Sequence, residues 1–191
     1  RSVSRGLGDV YKRQSVVAVM WKFMLNKDIG LVNTLLRLVG LDNLTHAWIG
    51  EKSTALGTVI AVNTWQYIGF TMVLFYIAMM NISKDVLESA AVDGATKKDL
   101  FFNFFLPLTA GTTETNVILS ISGGMKSFAL FYMLTGGGPG KATTVVAQLI
   151  YTTAFVDFKF YRALAMSTVL FIIILTLVLI SRLIGRRYNY E

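Results

Sequence analysis

Two long runs without charge constrain this chain more than any other feature of its sequence. No Asp, Glu, Lys or Arg occurs from Ser53 to Ser83 or from Ala163 to Ser181. A helix needs about 20 apolar residues to cross about 30 Å of hydrocarbon, so each run is long enough to span a membrane. Only 15% of the residues are charged, against about 25% in soluble domains. The sequence therefore predicts an all-α, polytopic transmembrane helical bundle.

Two further apolar segments add to this bundle. A third span is predicted between about residues 113 and 134, with Glu114 at its edge and Lys126 inside it. Residues 15–25 are apolar but too short to cross, so they are expected to be the end of another helix. The sequence thus predicts about three full spans plus the end of another.

The basic residues indicate partners and orientation. The net charge is +7, but the cations are scattered among loops and chain ends, so membrane lipid is expected as a partner and nucleic acid is not. Three arginines follow the last run, at Arg182, Arg186 and Arg187, which predicts a cytoplasmic C-terminus. Counting back, the loop after residue 80 is also cytoplasmic. Residues 26–54 then face outward although they hold three cations, so charge alone leaves the orientation open.

The stretch ESAAVDGATKKDLFFNFFLPL separates two of the spans. Ser83 can cap a helix whose first turn holds Asp85, and Gly94 can supply the left-handed residue that ends it. Thr96 and Asp99 have the spacing of a capping box for a second helix. Two short helices meeting at Gly94 are therefore predicted.

The first of these helices has a face of small residues. Leu87, Ala90 and Ala91 share a face at helical spacing, and Glu88 lies beside them. Such a face suits insertion into a partner, where a cation could meet Glu88. The alternative is an amphipathic elbow that packs on its own protein. A DNA-binding helix-turn-helix is not expected, because spans flank the stretch and no basic recognition helix follows.

These residues resemble a known motif. The stretch is similar to the EAA motif of permease subunits of bacterial binding-protein-dependent ABC importers, in the version of the carbohydrate family that includes maltose and glycerol-phosphate permeases. The matching positions are Glu88, Ser89, Ala90, Asp93, Gly94, Ala95, Leu106 and Pro107. The resemblance continues through WKFMLNKDIGLVN before it and through Lys126, Phe128, Tyr132, TGGGPGKAT and IYTTAF after it.

The resemblance implies a partial ABC type I importer permease fold. Residues 15–187 would form the permease transmembrane domain, with a cytoplasmic coupling helix at 83–107 and a short tail at 188–191. Residues 1–14 resemble a translated sequencing adapter and are expected to be a non-native tail. Family members have a core of six spans, so the chain is expected to be truncated at its N-terminus. The plasma membrane of a bacterium or archaeon is its expected location.

The resemblance also implies roles and partners. The coupling helix would dock on one of two ATP-binding subunits, with Glu88 as acidic anchor, Gly94 as pivot and Pro107 at the start of the next span. The residues implied in docking are Glu88, Ser89, Ala90, Ala91, Asp93, Gly94 and Ala95. A second homologous permease and an extracytoplasmic solute-binding protein would complete the importer, which would carry a sugar or related solute.

The sequence departs from the family pattern in four places. Ser89 replaces the first motif alanine and Ser83 a proline, and both changes leave docking plausible. Ala129 replaces a frequent acidic residue, and Tyr161 with Arg162 replaces a Gly-Tyr pair. These latter changes put the substrate path and the outer gate in doubt.

Four polar residues within spans are hypothesised to border the translocation path: Asn63, Gln66, Ser122 and Lys126. Ionisable or polar groups at membrane depth usually face a cavity or a partner, and Gly123 with Gly124 permits a kink or close packing near Lys126. The alternative is that the four residues hydrogen-bond between helices and never touch the solute.

No chemistry of its own is expected from this chain. GGGPGK lacks the spacing of a phosphate loop and follows a span instead of a strand, so no cofactor is expected here, and ATP and Mg²⁺ would bind to partner subunits. There is no cysteine, and the single histidine, His46, lacks the neighbours of a metal site. No catalytic set is evident. The rival hypothesis is a secondary transporter or channel that works without an ATPase.

Overall fold

The computed structural model describes residues 14–188, apart from the side chains of Ala91 and 186–188. The tail at 1–14 and the end of the 188–191 tail therefore lie almost wholly outside the described residues. The elements in chain order are α1 (14–24), α2 (Leu31–Leu38), a 3₁₀ turn (Asp42–Leu44), α3 (Ala55–Met80), α4 (Lys84–Val92), α5 (Lys97–Asp99), a π-helix (Leu100–Phe105), α6 (Leu106–Leu108), α7 (Ala110–Lys126), α8 (Ala129–Thr135), α9 (Val146–Tyr151), a second π-helix (Thr152–Val156) and α10 (Phe160–Tyr188).

Two of these helices are long and apolar enough to cross a membrane. They are α3 and the segment Phe160–Gly185 of α10, and both coincide with the uncharged runs of the sequence. α7 and α8 qualify as a third span if the two helices are taken together. The all-helical, multi-span prediction is confirmed within the described residues.

The third span differs in detail from its prediction. The helix breaks at Ser127 and Phe128, between α7 and α8. Gly123 and Gly124, where a kink or close packing was expected, lie inside α7, and a Cβ on either would meet no atom within 4 Å. The break therefore lies three residues beyond Gly124, and within the described part of the chain no other segment packs against either glycine.

The chain divides into two compact units. The first runs up to Gln66 and resumes at Met125–Thr168. Its core is a cluster of aliphatic residues and one phenylalanine from α1, the residue after α1, α3 and α8: Ala18, Leu25, Val59, Val62, Leu130, Phe131 and Leu134. Val32 of α2 packs against this cluster. Burial of these apolar surfaces is the main stabilising contribution to the unit.

Residues 26–54 of the first unit are tied together by one amide side chain. Asn33 is fully buried, and its Nδ2 donates to the carbonyl oxygens of Lys27 (3.0 Å) and His46 (2.9 Å). Its Oδ1 accepts from Nε1 of Trp48 at 2.7 Å. Since a buried polar group is costly when unpaired, these three bonds fix the path of the segment.

The carboxylate of Glu51 bonds to neighbouring residues in the same segment, shortly before α3 begins. The N–H of Ala47 donates to Oε1 of Glu51 at 2.9 Å, and His46 Nδ1 lies 3.2 Å from Oε2. The backbone hydrogen bond from Ala47, followed by the charge and hydrogen bond of His46, lowers the pKa of Glu51.

The second unit comprises Tyr67–Gly124 and the chain from Val169 onwards. It contains α4 and the π-helix, with Thr109 and Asn116 as buried polar residues. Gly185 of α10 lies against Glu114 of α7, because a Cβ on Gly185 would be 2.5 Å from Cδ and Oε2 of that side chain. A larger residue at this position would require the end of the Glu114 side chain to move.

Pro107 follows a widened helical turn. The N–H of Leu106 donates to the carbonyl of Phe101, five residues earlier. Proline lacks an N–H and its ring clashes with the carbonyl four residues back. The π-helix Leu100–Phe105 lets the chain reach Pro107, in the first turn of α6, without a break in the helical path.

Candidate functional site

The helix α4 and the turn after it form the predicted coupling segment. Ser83 Oγ accepts the N–H of Asp85 at 3.3 Å, as expected for a cap. At the other end, the N–H of Ala95 donates to the carbonyl of Ala90 at 3.0 Å while Gly94 has φ +80°. This pattern is a Schellman motif. A Cβ on Gly94 would meet no atom within 4 Å, so the backbone angle, not space, favours glycine.

A capping box starts the next helix. Thr96 N–H donates to Asp99 Oδ2 at 2.9 Å, and Thr96 Oγ1 lies 2.6 Å from the same oxygen. Asp99 N–H donates to Thr96 Oγ1 at 3.4 Å. The side-chain bond first, and the backbone bond second, lower the pKa of the Asp99 carboxyl. The prediction of two short helices meeting at Gly94 is confirmed.

The docking residues differ in exposure. Glu88, Ser89, Asp93 and Gly94 are exposed, and Ala95 is half-buried. Ala90 is 4% exposed, so it packs inside its own chain instead of presenting a small side chain outward. The side chain of Ala91 lies outside the described residues.

The exposed part of α4 consequently differs from the alanine face read from the sequence. Leu87 is half-buried on the side of Ala90, whereas Glu88 and Val92 are exposed, Val92 to 87%. Ser89 is turned back on its helix, since its Oγ donates to the carbonyl of Asp85 at 2.8 Å. The exposed surface of α4 thus consists of polar and charged side chains with two valines: Lys84, Asp85, Val86, Glu88, Ser89 and Val92.

The four path residues lie on two helices. Asn63 and Gln66 are one turn apart on α3 and half-buried. Gln66 Oε1 is buried and has no hydrogen-bond partner among the described residues. Ser122 and Lys126 are one turn apart on α7, Ser122 half-buried and Lys126 exposed at the end of the helix. The two residues on each helix are therefore neighbours, and the four side chains form no hydrogen bonds with one another.

The glycine-rich segment after α8 is a tightly bonded turn. Gln148 Nε2 donates to the carbonyl of Gly136 at 2.8 Å, and Thr143 Oγ1 donates to that of Gly138 at 2.8 Å. A Cβ on Gly137 would lie 2.6 Å from Gln148 Nε2. The buried Gln148 and Thr143 that hold this turn were missed in the sequence, because a polar residue in a semi-apolar run gives no signal of its partner.

A row of aromatic rings flanks this turn. Phe128 lies 5.1 Å from the rings of both Tyr132 and Tyr151, and Tyr151 lies 5.3 Å from Phe155. The rings contact their neighbours in the row, and Tyr132 and Tyr151 are 43% and 39% exposed. Within the described residues, no group of three or more His, Asp or Glu side chains could hold a metal ion.

Comparison with known proteins places these features in a family. A family model described as "Binding-protein-dependent transport system inner membrane component" matches residues 16–190. A probable ABC transporter permease protein of Bacillus subtilis, YurN, is 39% identical over 167 residues, which cover 87% of this chain and 57% of the relative. The diacetylchitobiose uptake system permease protein NgcF of Streptomyces coelicolor is 31% identical, with 90% and 49% covered.

Solved structures agree with the fold. The structure titled as a bacterial ABC transporter involved in the import of the acidic polysaccharide alginate superposes with a TM-score of 0.80 at 24% identity, covering 91% of this chain and 60% of that one. At this identity the likeness shows the fold alone, that of the membrane-spanning part of an ABC importer. This chain spans 57% of the Bacillus relative and 49% of the Streptomyces relative. The chain belongs to the family of binding-protein-dependent transport system inner membrane components.

Proposed function

We propose that this chain forms part of a permease subunit of an ATP-driven importer, which moves a sugar or related solute across the plasma membrane. The observation that carries the proposal is an exposed carboxylate, Glu88, on a short capped helix between two membrane spans of this family. The C-terminus and α4 are assigned to the cytoplasm, where the helix reaches an ATP-binding subunit.

Docking is assigned to the exposed residues of the segment. Glu88 meets a cation in a cleft of the ATPase, and Asp93 and Gly94 form the edge of the contact. Ala90 acts from inside by holding α4 against its own chain. Coupling requires that α4 bind the ATPase states with different affinity, because equal affinity would shift no equilibrium. ATP and Mg²⁺ bind to the two ATPase subunits.

The solute class follows from the relatives. The Streptomyces relative is named for diacetylchitobiose uptake, and a Yersinia enterocolitica relative, 30% identical over 93% of this chain, is named for sn-glycerol-3-phosphate transport. Both names support a sugar or polyol derivative as the solute. A second homologous permease and an extracytoplasmic solute-binding protein complete the proposed assembly.

Charge reversal at Glu88 tests the docking step. Glu88→Arg is expected to reduce co-purification with the ATPase subunit at least tenfold, because it places two cations together. Asp42→Arg is the matched control: Asp42 is an exposed carboxylate in the segment assigned to the opposite side, so its reversal should leave association intact. If Glu88→Arg and Asp42→Arg co-purify with the ATPase subunit to the same extent, the result would instead support a secondary transporter or channel.

The path is tested at its one ionisable residue. We assign Asn63, Gln66, Ser122 and Lys126 to the border of the translocation path, supported by the unpaired Gln66 Oε1 and the exposed Lys126. Lys126→Met should lower solute uptake at least tenfold or change solute preference while ATPase association persists. Lys141→Met, at an exposed turn residue outside the spans, is the control. Unchanged uptake and preference would remove Lys126 from the path.

A further inference from the structure

The helix α2 carries an apolar face that nothing in the described chain covers. Leu31, Leu35, Leu38 and Val39 are between 51% and 77% exposed. At about 100° per residue these four positions fall on one side of the helix. They are called the aliphatic stripe below. Single exposed apolar residues are common, but a continuous row marks a contact surface.

The side of α2 that carries Asn33 is fixed to the protein. Asn33 is fully buried with its three hydrogen bonds, and Val32 packs against the core cluster. The helix therefore cannot turn its aliphatic stripe inward without breaking those bonds. The stripe is a stable outward face of the first unit.

The depth of α2 follows from what it packs against. The α3 members of the core cluster are Val59 and Val62, which lie about 6 and 10 Å from the start of α3 at 1.5 Å per residue. α3 has 26 residues, about 39 Å, which exceeds the roughly 30 Å of hydrocarbon. The helix α3 is therefore longer than the hydrocarbon is thick. Thr54, the residue before α3, donates through Oγ1 to the carbonyl of Trp48 at 3.1 Å, and Trp48 is bonded to Asn33, so α2 is tied to the end of α3 at which the span begins.

The chemistry of the face favours lipid over protein. The aliphatic stripe has no aromatic residue, whereas protein contacts depend mostly on Trp, Tyr and Arg. A polar flank formed by Thr34 and Arg37 runs along one side of the stripe. The guanidinium of Arg37 lies 3.3 Å from the carbonyl of Lys27 and 3.4 Å from that of Asp28. An apolar face with a cation on its polar flank is typical of a helix lying in the plane of a membrane surface.

We propose that α2 is an interfacial helix: its aliphatic stripe is inserted among lipid acyl chains at the membrane boundary, and Lys27 and Arg37 lie among the phosphate headgroups. Together with Asp28, the side chains of Lys27 and Arg37 carry a net charge of one positive unit. The inference is independent of the solute and of any ATPase, since it needs only that α3 spans a membrane.

Collision accessibility of spin labels tests this arrangement. The chain has no cysteine, so Leu35→Cys, Leu38→Cys and Val39→Cys each give one nitroxide site on an already exposed position. Asp42→Cys, in the 3₁₀ turn beyond the helix, is the control. The labelled full chains are placed in vesicles of phosphatidylethanolamine and phosphatidylglycerol.

Lipid contact has a distinct signature in this measurement. Oxygen, which concentrates in acyl chains, should collide with the labels at 35, 38 and 39 several times more effectively than a water-soluble nickel complex, and the order should reverse at 42. Effective nickel collision at the stripe would overturn the proposal, since the face would be in water. Protection from both colliders would also overturn it, because protein would then cover the stripe. Loss of that protection on dilution with lipid would identify a second copy.

Discussion

At the scale of single residues, the turn between α4 and α5 depends on two side chains that bond each other. Thr96 and Asp99 exchange hydrogen bonds at the start of the helix, so the Asp99 carboxylate is stabilised and its pKa is lowered. A lowered folded-state pKa means that the carboxylate stabilises the folded turn above about pH 3.9, the ordinary Asp value. This contribution is lost as the pH falls through the folded-state pKa.

Removal of the threonine hydroxyl should raise the pKa of Asp99 toward its ordinary value. In Thr96→Val the larger of the two stabilising hydrogen bonds is gone, while the backbone N–H of residue 96 remains. Carboxyl-carbon NMR of the chain in detergent, titrated with acid, measures the change. Thr113→Val is the matched control, because within the described residues Thr113 Oγ1 bonds the carbonyl of Thr109 and no other group. An identical Asp99 titration in both variants would contradict the assigned cause.

Local residue pairs were predictable, and distant ones were not. The capping box was evident from the spacing of Thr96 and Asp99, and the left-handed Gly94 from its place after a helix. The role of Asn33 was not, because its partners lie up to 15 residues away and no short-range pattern connects them. The burial of Ala90 was missed for the same reason: a helix periodicity groups residues on a face but does not say what covers that face.

At the scale of helices, the uncharged runs predicted α3 and α10, since hydropathy over about 20 residues is a strong signal. The break between α7 and α8 was not predicted. The sequence indicated Gly123 and Gly124 as residues that permit a kink. An isolated glycine, however, lowers helix propensity by about 1 kcal/mol without forcing a kink. Phe128 at the break has φ −128° and ψ −54°, outside the helical region, and its sequence alone gives no signal of this.

The contact between Gly185 and Glu114 predicts a coupled pair of substitutions. Gly185→Ala puts a methyl group where the end of the Glu114 side chain lies, so this flexible side chain must move, and the helix-propensity gain of up to about 1 kcal/mol expected for Gly→Ala should be reduced or lost. In a chain that also carries Glu114→Ala the full gain should return, giving a coupling energy of about 0.5 kcal/mol or more. Equilibrium unfolding in mixed micelles measures each variant of the cycle.

A helical glycine in open space provides the control for this cycle. Gly124→Ala adds a methyl group that meets no atom within 4 Å, so it should be neutral or stabilising by up to about 1 kcal/mol. If the effects of Gly185→Ala and Glu114→Ala on the free energy of unfolding simply add, the two positions do not interact.

At the scale of the whole molecule, the orientation in the membrane is the main prediction. With no native cysteine, Asp93→Cys and Asp42→Cys each give one exposed labelling site. An impermeant maleimide added to intact cells should label Asp42→Cys and leave Asp93→Cys unreacted, and inverted vesicles should give the opposite result. Labelling of Asp93→Cys from outside would place α4 on the wrong side of the membrane for an ATPase.

Family membership was also predictable at this scale, because several modest motifs occur in one order along most of the chain. The match of residues 16–190 and the TM-score of 0.80 confirm the resemblance. The solute was not predictable. The path residues Asn63 and Gln66 are generic hydrogen-bonding groups, and their position on a helix does not define the shape of a bound molecule.

The widened turn at Leu100–Phe105 changes the helical register, so side chains before it and side chains after it follow different registers. A π-turn uses one residue more than an α-turn, which corresponds to a rotation of about 100° around the axis. A helical wheel drawn continuously from Lys97 to Lys126 would therefore assign its early residues to the wrong side. Any scan of side-chain periodicity along this stretch must be read as two separate registers that meet just before Pro107.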